Sequence, residues 1–199
     1  MNQDWTARRI LKELCDTSQR RSILAAFWRE AEPDTKNLVI AALARNLNFR
    51  LDSIKKATPE RKGELLGMQL HIAQFEEPME IALMLYHTGQ AKELLGAFLD
   101  SWEIPHVDGS IEVEEYPIPT AAAVAKSSAR LKDRFPEADI ALYLATAGLL
   151  MGRDEPKWRE ATWPEVERIR TQVTLTAPKP DASGRKKKTA GRKSKVTGA

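Results

Sequence analysis

Ile140–Met151 reads IALYLATAGLLM and belongs to the longest run of this chain without a charged residue. Wound as a helix it is apolar on every side, diluted only by Thr146 and Gly148, so other elements have to surround it. A near-copy lies earlier. IALMLYHTG at Ile81–Gly89 shares Ile, Ala, Leu, Leu and Gly at matching places with IALYLATAG at Ile140–Gly148, and each copy follows a proline and acidic residues. The two segments predict the axis of an all-α domain against which amphipathic helices pack. The expected architecture is a compact multi-helix bundle or a short helical-hairpin array. The tetrapeptide Glu-Leu-Leu-Gly, present at Glu64–Gly67 and again at Glu93–Gly96, fits either, and the bundle is favoured because a solenoid needs at least three repeats.

On the N-terminal side, Asp4, Ser18 and Asp34 are expected to cap three antiparallel helices, whose apolar faces carry Trp5, Ile10 and Leu11, then Ile23, Leu24, Phe27 and Trp28, then the LVIAALARNL run from Leu38. Prolines mark later helix starts at Thr58-Pro59-Glu60, Glu77-Pro78-Met79 and Phe135-Pro136-Glu137, because a proline at the first helical position loses no hydrogen bond. Helical stretches follow over Leu65–Phe75, Met79–Tyr86 and Lys92–Trp102. Thr120 opens an alanine-rich helix to Phe135, and Thr162-Trp163-Pro164-Glu165 has capping-box spacing before a last helix with Val166, Ile169 and Val173.

One segment breaks the helical pattern. HVDGSIEVE alternates around Asp108-Gly109, the dipeptide favoured by type I′ turns, and predicts a small β-hairpin or extended loop near residues 103–114. A two-residue turn sets Val107 opposite Ser110 and His106 opposite Ile111. Ile104, His106, Ile111 and Val113 then share a face that should lie on the helical body.

Charge divides the chain in two. Eight of the 31 basic residues and one of the 28 acids lie from Pro178 onward, so that end carries +7 while the remainder, with 23 basic and 27 acidic residues, carries −4. The expected organisation is a helical domain over 1–173 and a disordered lysine- and arginine-rich tail over 174–199, too poor in apolar residues to offset the entropy of ordering. Arg185, Lys186, Lys187, Lys188, Arg192, Lys193 and Lys195 are its candidate nucleic-acid contacts, since phosphate neutralisation requires only charge density. Solubilisation is the plainer reading of the same residues.

Candidate chemistry elsewhere is sparse. Cys15 is the single cysteine, which points to a reducing, cytoplasmic setting, and neither a signal peptide nor a membrane span is expected. His71, His87 and His106 have no second histidine at metal-ligand spacing and read as packed residues, and no glycine-rich phosphate loop or nucleophile elbow occurs. No catalytic residue, metal or cofactor is therefore assigned. Trp102, His106 and Asp108, at the junction of helix and acidic segment, are the candidates for a partner or ligand groove. The leading expectation is a non-enzymatic interaction protein whose body binds a protein partner and whose tail adds attraction to an acidic polymer. The alternatives are a nucleic-acid-associated protein acting through the tail, and an enzyme or small-ligand binder with an interhelical pocket near Trp102 and His106.

Overall fold

The computed structural model describes residues 5–111, 113–151 and 155–176. Of the expected tail, residues 177–199, with all seven of its candidate contacts, lie outside the described residues, as do Asp4 and Glu112, whereas 174–176 continue the last helix rather than starting a tail. Ten α-helices and one small antiparallel sheet make up the described chain: α1 Ala7–Leu14, α2 Thr17–Glu30, α3 Pro33–Leu47, α4 Leu51–Lys55, α5 Pro59–Gly67, α6 Glu76–Thr88, α7 Lys92–Ser101, β1 His106–Val107, β2 Ser110–Ile111, α8 Ala121–Leu131, α9 Glu137–Met151 and α10 Glu155–Thr176. A single 3₁₀ turn, Ala73–Phe75, precedes α6.

Helix α9 is the shared wall. Its Leu142 belongs to an N-terminal hydrophobic cluster with Leu11, Phe27, Leu43, Leu66, Phe75 and Leu83, while Ile140, Tyr143 and Leu144 belong to a second cluster with Phe98, Trp102, Val124, Trp158 and Ile169. Being apolar all round follows from having a core on either side. Each large side chain fully withdrawn from water contributes roughly 1.5–3 kcal/mol, so a helix that is buried over most of its length organises the molecule.

The two near-copies, α6 and α9, pack on each other. They meet at His87 and Thr146, which are the seventh residue of each copy, with His87 Nε2 2.9 Å from Thr146 Oγ1. Both side chains are fully buried.

Several helix starts follow the sequence closely. Thr58 and Thr120 cap α5 and α8, each side chain accepting from the amide three residues on, and Pro59 stands at the first position of α5. Others differ. The caps of α1 and α2 are Thr6 and Asp16 rather than Asp4 and Ser18; Asp16 Oδ1 accepts from Gln19 N at 2.8 Å, and the helix therefore starts ahead of Ser18. Pro33, not Asp34, opens α3. The expected helix over Leu65–Phe75 stops at Gly67, where short-range bonds such as Gln69 N to Leu66 O tighten the chain into turns. Helix α8 ends at Leu131 instead of Phe135, and the chain passes through turns, Arg134 N and Phe135 N both donating to Leu131 O at 2.9 Å, before Pro136.

The first three helices do not stack as their own antiparallel set. Helix α1 lies on α6 and α9, and α2 lies on α5 and α6. Gly63 explains the second pairing: a Cβ there would stand 3.1 Å from Ala25 N and 3.2 Å from Arg21 O, so α5 approaches α2 backbone to backbone. No helix among the described residues is long and apolar enough to cross a membrane.

Candidate functional site

The hairpin forms in the expected register, His106 opposite Ile111 and Val107 opposite Ser110. Asp108 at φ 55° and Gly109 at φ 84° supply the two positive angles of the turn. Three contacts fix it to α7. Ile104 is buried and its amide donates to Leu99 O at 3.0 Å; Lys92 Nζ lies 3.1 Å from Asp108 Oδ2; His106 Nε2 lies 3.2 Å from Asp100 Oδ1. His106 Nδ1 accepts from Gly109 N at 3.1 Å, so the ring proton of the neutral form sits on Nε2 and faces the Asp100 carboxylate.

Between this hairpin and the ends of α6 and α9 lies a cleft of about 340 Å³, lined by Thr88, Leu95, Gly109, Ser110, Ile111, Val113, Glu114, Tyr116, Leu150 and Met151. The turn residue Gly109, both residues of β2, Ser110 and Ile111, and the segment beyond it, Val113 and Glu114, supply one wall of the cleft. Tyr116 OH donates to Met151 O at 2.7 Å and ties the segment after the hairpin to the end of α9. The lining mixes the apolar side chains of Leu95, Ile111, Leu150 and Met151 with the hydroxyls of Thr88, Ser110 and Tyr116, and polar atoms form the larger part of its surface. Glu114 is the charged side chain among the lining residues, and exposed Asp100, Glu103, Asp108 and Glu115 surround the hairpin.

The three groove candidates do not converge on this cleft. Trp102 is buried in the second cluster, its ring 5.0 Å from Phe98, 6.2 Å from Tyr143 and 5.6 Å from Trp158. His106 occupies the hairpin stem and Asp108 its solvent-facing tip. The cleft is built by their neighbours. Ile111 and Val113 were legible in the alternating pattern; Thr88, Leu95, Leu150 and Met151, brought from helix ends remote in sequence, had no local signal.

The remaining reactive side chains are isolated. Cys15 is buried and desolvation pushes its thiol up to about 12. Burial drives His87 down to about 3, its ring lying 5.4 Å from that of Tyr86 and 5.5 Å from that of Tyr143. His71, expected to be packed, is exposed. Among the described residues no group of three or more His, Cys, Asp or Glu side chains is placed to hold a metal ion. What the arrangement offers is a concavity of mixed lining, with hydroxyl groups and the Glu114 carboxylate among its apolar side chains.

No family model, curated protein or solved structure matches this chain.

Proposed function

We propose that this chain is a non-enzymatic helical interaction protein whose body receives a protein partner at the hairpin cleft and whose basic residues beyond 178 add attraction to an acidic polymer. The observation that carries the first part is the cleft itself, whose lining sets the Glu114 carboxylate and the Thr88, Ser110 and Tyr116 hydroxyls beside Leu95, Ile111 and Leu150, a mixture that suits a partner segment carrying both polar or basic and apolar side chains. The second part rests on the separation of charge, +7 at the C-terminal end against −4 for the rest.

The test is affinity capture from native lysate with the full-length protein, with Ser110→Trp to fill the cleft, and with the tail lysines changed to glutamine, each with and without nuclease. A partner lost with Ser110→Trp and retained after nuclease supports the reading. Retention of every partner by Ser110→Trp would sink it. The cleft also favours a second reading, a small-ligand binder, since its volume falls at the lower end of ligand pockets of roughly 300–1,000 Å³. That reading requires purified protein to gain thermal stability from a small apolar cation, and Ser110→Trp to abolish the gain.

A further inference from the structure

Away from the cleft, the corner joining α3 to α4 carries an unusual surface. Asn48 adopts the left-handed conformation at φ 54° and Phe49 N donates to Ala44 O at 3.0 Å, a C-terminal cap that turns the chain sharply. Ile54 is buried beneath the corner and Leu47 half-buried, which anchors it to the core. Its outer side presents Phe49 at 45% exposure and Leu51 at 40%, flanked by exposed Arg45, Arg50, Lys55 and Lys56 with Asp52 as the one acid between them.

These four cations are unlike most of the body's arginines. Arg21 and Arg61 pair with Glu64, Arg29 with Glu60, Arg168 with Glu165. Among the described residues, Arg45, Arg50, Lys55 and Lys56 make no ion pair and no side-chain hydrogen bond. A local charge of +3 beside an outward ring is therefore left for something anionic. The other basic stretch, at the end of α8, has no free ring: Phe135 is half-buried and Arg134 already lies over it, 5.2 Å from its centroid.

We propose that the α3–α4 corner is a contact surface for single-stranded nucleic acid, with Phe49 as the stacking platform for an unpaired base and Arg45, Arg50, Lys55 and Lys56 neutralising the neighbouring phosphates. A ring can stack only on a base whose face is free, which selects single strands over duplex, and a positively charged path with an aromatic platform is what such binding needs. A membrane wedge fits less well, because insertion by several ångströms requires protruding apolar groups, and Phe49 and Leu51 are each more than half covered. The surface is separate from the hairpin cleft and does not depend on the protein-partner reading. It assigns the acidic polymer a chemical class and gives the folded body a share in holding it.

The experiment is fluorescence anisotropy of the full chain with a labelled oligothymidylate of about twenty nucleotides over a salt series. Changing Arg45, Arg50, Lys55 and Lys56 together to glutamine should reduce the slope of log K against log salt by up to about 2.8, at roughly 0.7 per phosphate contact on a single strand. Phe49→Leu, which keeps apolar bulk and loses the π face, should weaken binding by about five-fold or more, and Phe49→Trp should restore it. Ser110→Trp should bind as the parent does, which separates this site from the cleft. All variants are checked for parental helical content and melting. The four-glutamine variant alters exposed side chains alone, so it carries the test if Phe49→Leu unfolds. Unchanged affinity and slope in that variant and in Phe49→Leu would overturn the proposal, leaving the tail with all the affinity. Co-sedimentation with phosphatidylserine vesicles, with no measurable oligonucleotide binding, would overturn it in favour of a membrane.

Discussion

Lowering the pH from 7 to 5 should weaken the fold through one residue, His87, where α6 crosses α9. Its Nε2 faces Thr146 Oγ1, and that hydroxyl also lies 3.0 Å from Leu142 O and from Tyr143 O. A hydroxyl has one proton. If Thr146 donates it to its own helix, His87 must donate from Nε2, leaving Nδ1 as a buried lone pair without a protein partner, which costs less than a buried N–H in the same position. A second proton would need a charge in a site walled by Tyr86 and Tyr143 rings, and burial therefore depresses the histidine to about 3. The ordinary value of 6.5 applies to the unfolded chain.

The sign follows from linkage. Above 6.5 the histidine is neutral in both states and the fold has its full stability. As the pH falls below 6.5 the unfolded chain takes up a proton that the native state refuses, and stability is lost at about 1.4 kcal/mol per pH unit until the folded value is reached. Between pH 7 and pH 5 the loss is about 2 kcal/mol, a large fraction of a typical 5–15 kcal/mol total. For a chain of this size it corresponds to roughly 4–8 °C in melting temperature. The assay is urea unfolding at both pH values for the parent and for His87→Gln, which keeps a donor for Thr146 and cannot titrate. Subtracting the variant removes contributions shared by both proteins, including that of Asp139, whose carboxyl is raised by desolvation against the bond from Gln19 and so works in the opposite direction. An equal loss in parent and variant would refute the reasoning, as would a His87 resonance titrating near 6.5 in the native protein.

Three further outcomes follow from packing. Gly63→Ala should destabilise by about 1–3 kcal/mol in thermal unfolding despite its better helix propensity, because the new methyl meets α2 backbone atoms at 3.1–3.3 Å that cannot move aside, whereas Gly67→Ala meets Leu24 Cδ1 at 3.4 Å and should be neutral or mildly stabilising. Cys15, buried and with its thiol held up to about 12, should stay unreactive toward a disulfide reagent at pH 8 in the native protein and titrate as one thiol in urea. Tyr143→Phe removes a buried hydroxyl that has no hydrogen-bond partner among the described residues and should leave the melting temperature unchanged or raise it; a fall of several degrees would show that the hydroxyl is satisfied by something else.

These predictions also mark where sequence was sufficient. The all-round apolarity of Ile140–Met151 is visible without coordinates because no single interface can hide every side of a helix; that it is flanked by two cores is the structural form of the same fact. The Asp108-Gly109 turn and the Thr58 and Thr120 caps are equally local, each set by a few neighbouring residues. The choice of partner is not local. Nothing in residues 17–30 says that α2 will lie on α5 rather than α3; the decision rests on Gly63, more than thirty positions away, whose missing side chain matters only once two backbones approach. Trp102 shows the converse, a large amphipathic ring next to the acidic segment whose burial against Phe98 and Trp158 depends on helices remote in sequence.

The near-copies join the two kinds of information. Their resemblance is readable as a pattern, yet the consequence arises where they differ: at the seventh position one helix carries His87 and the other Thr146, so that two chemically unlike groups occupy equivalent places and can bond across the crossing. Two alanines or two leucines there would also pack, and they would hold the helices together at any pH. An imidazole and a hydroxyl join them through a hydrogen bond inside a site whose burial disfavours the charged ring, and it is that burial that makes the contact between the helices dependent on proton concentration. Thr146→Val separates these roles: volume is conserved, the buried Nε2 loses its partner, and a destabilisation of about 1–3 kcal/mol at pH 7 is expected. Nearly all of it should vanish when His87→Leu is combined with Thr146→Val, because no polar group is then left unpaired at the crossing. A double variant no more stable than Thr146→Val would mean that shape, not the bond, holds α6 to α9.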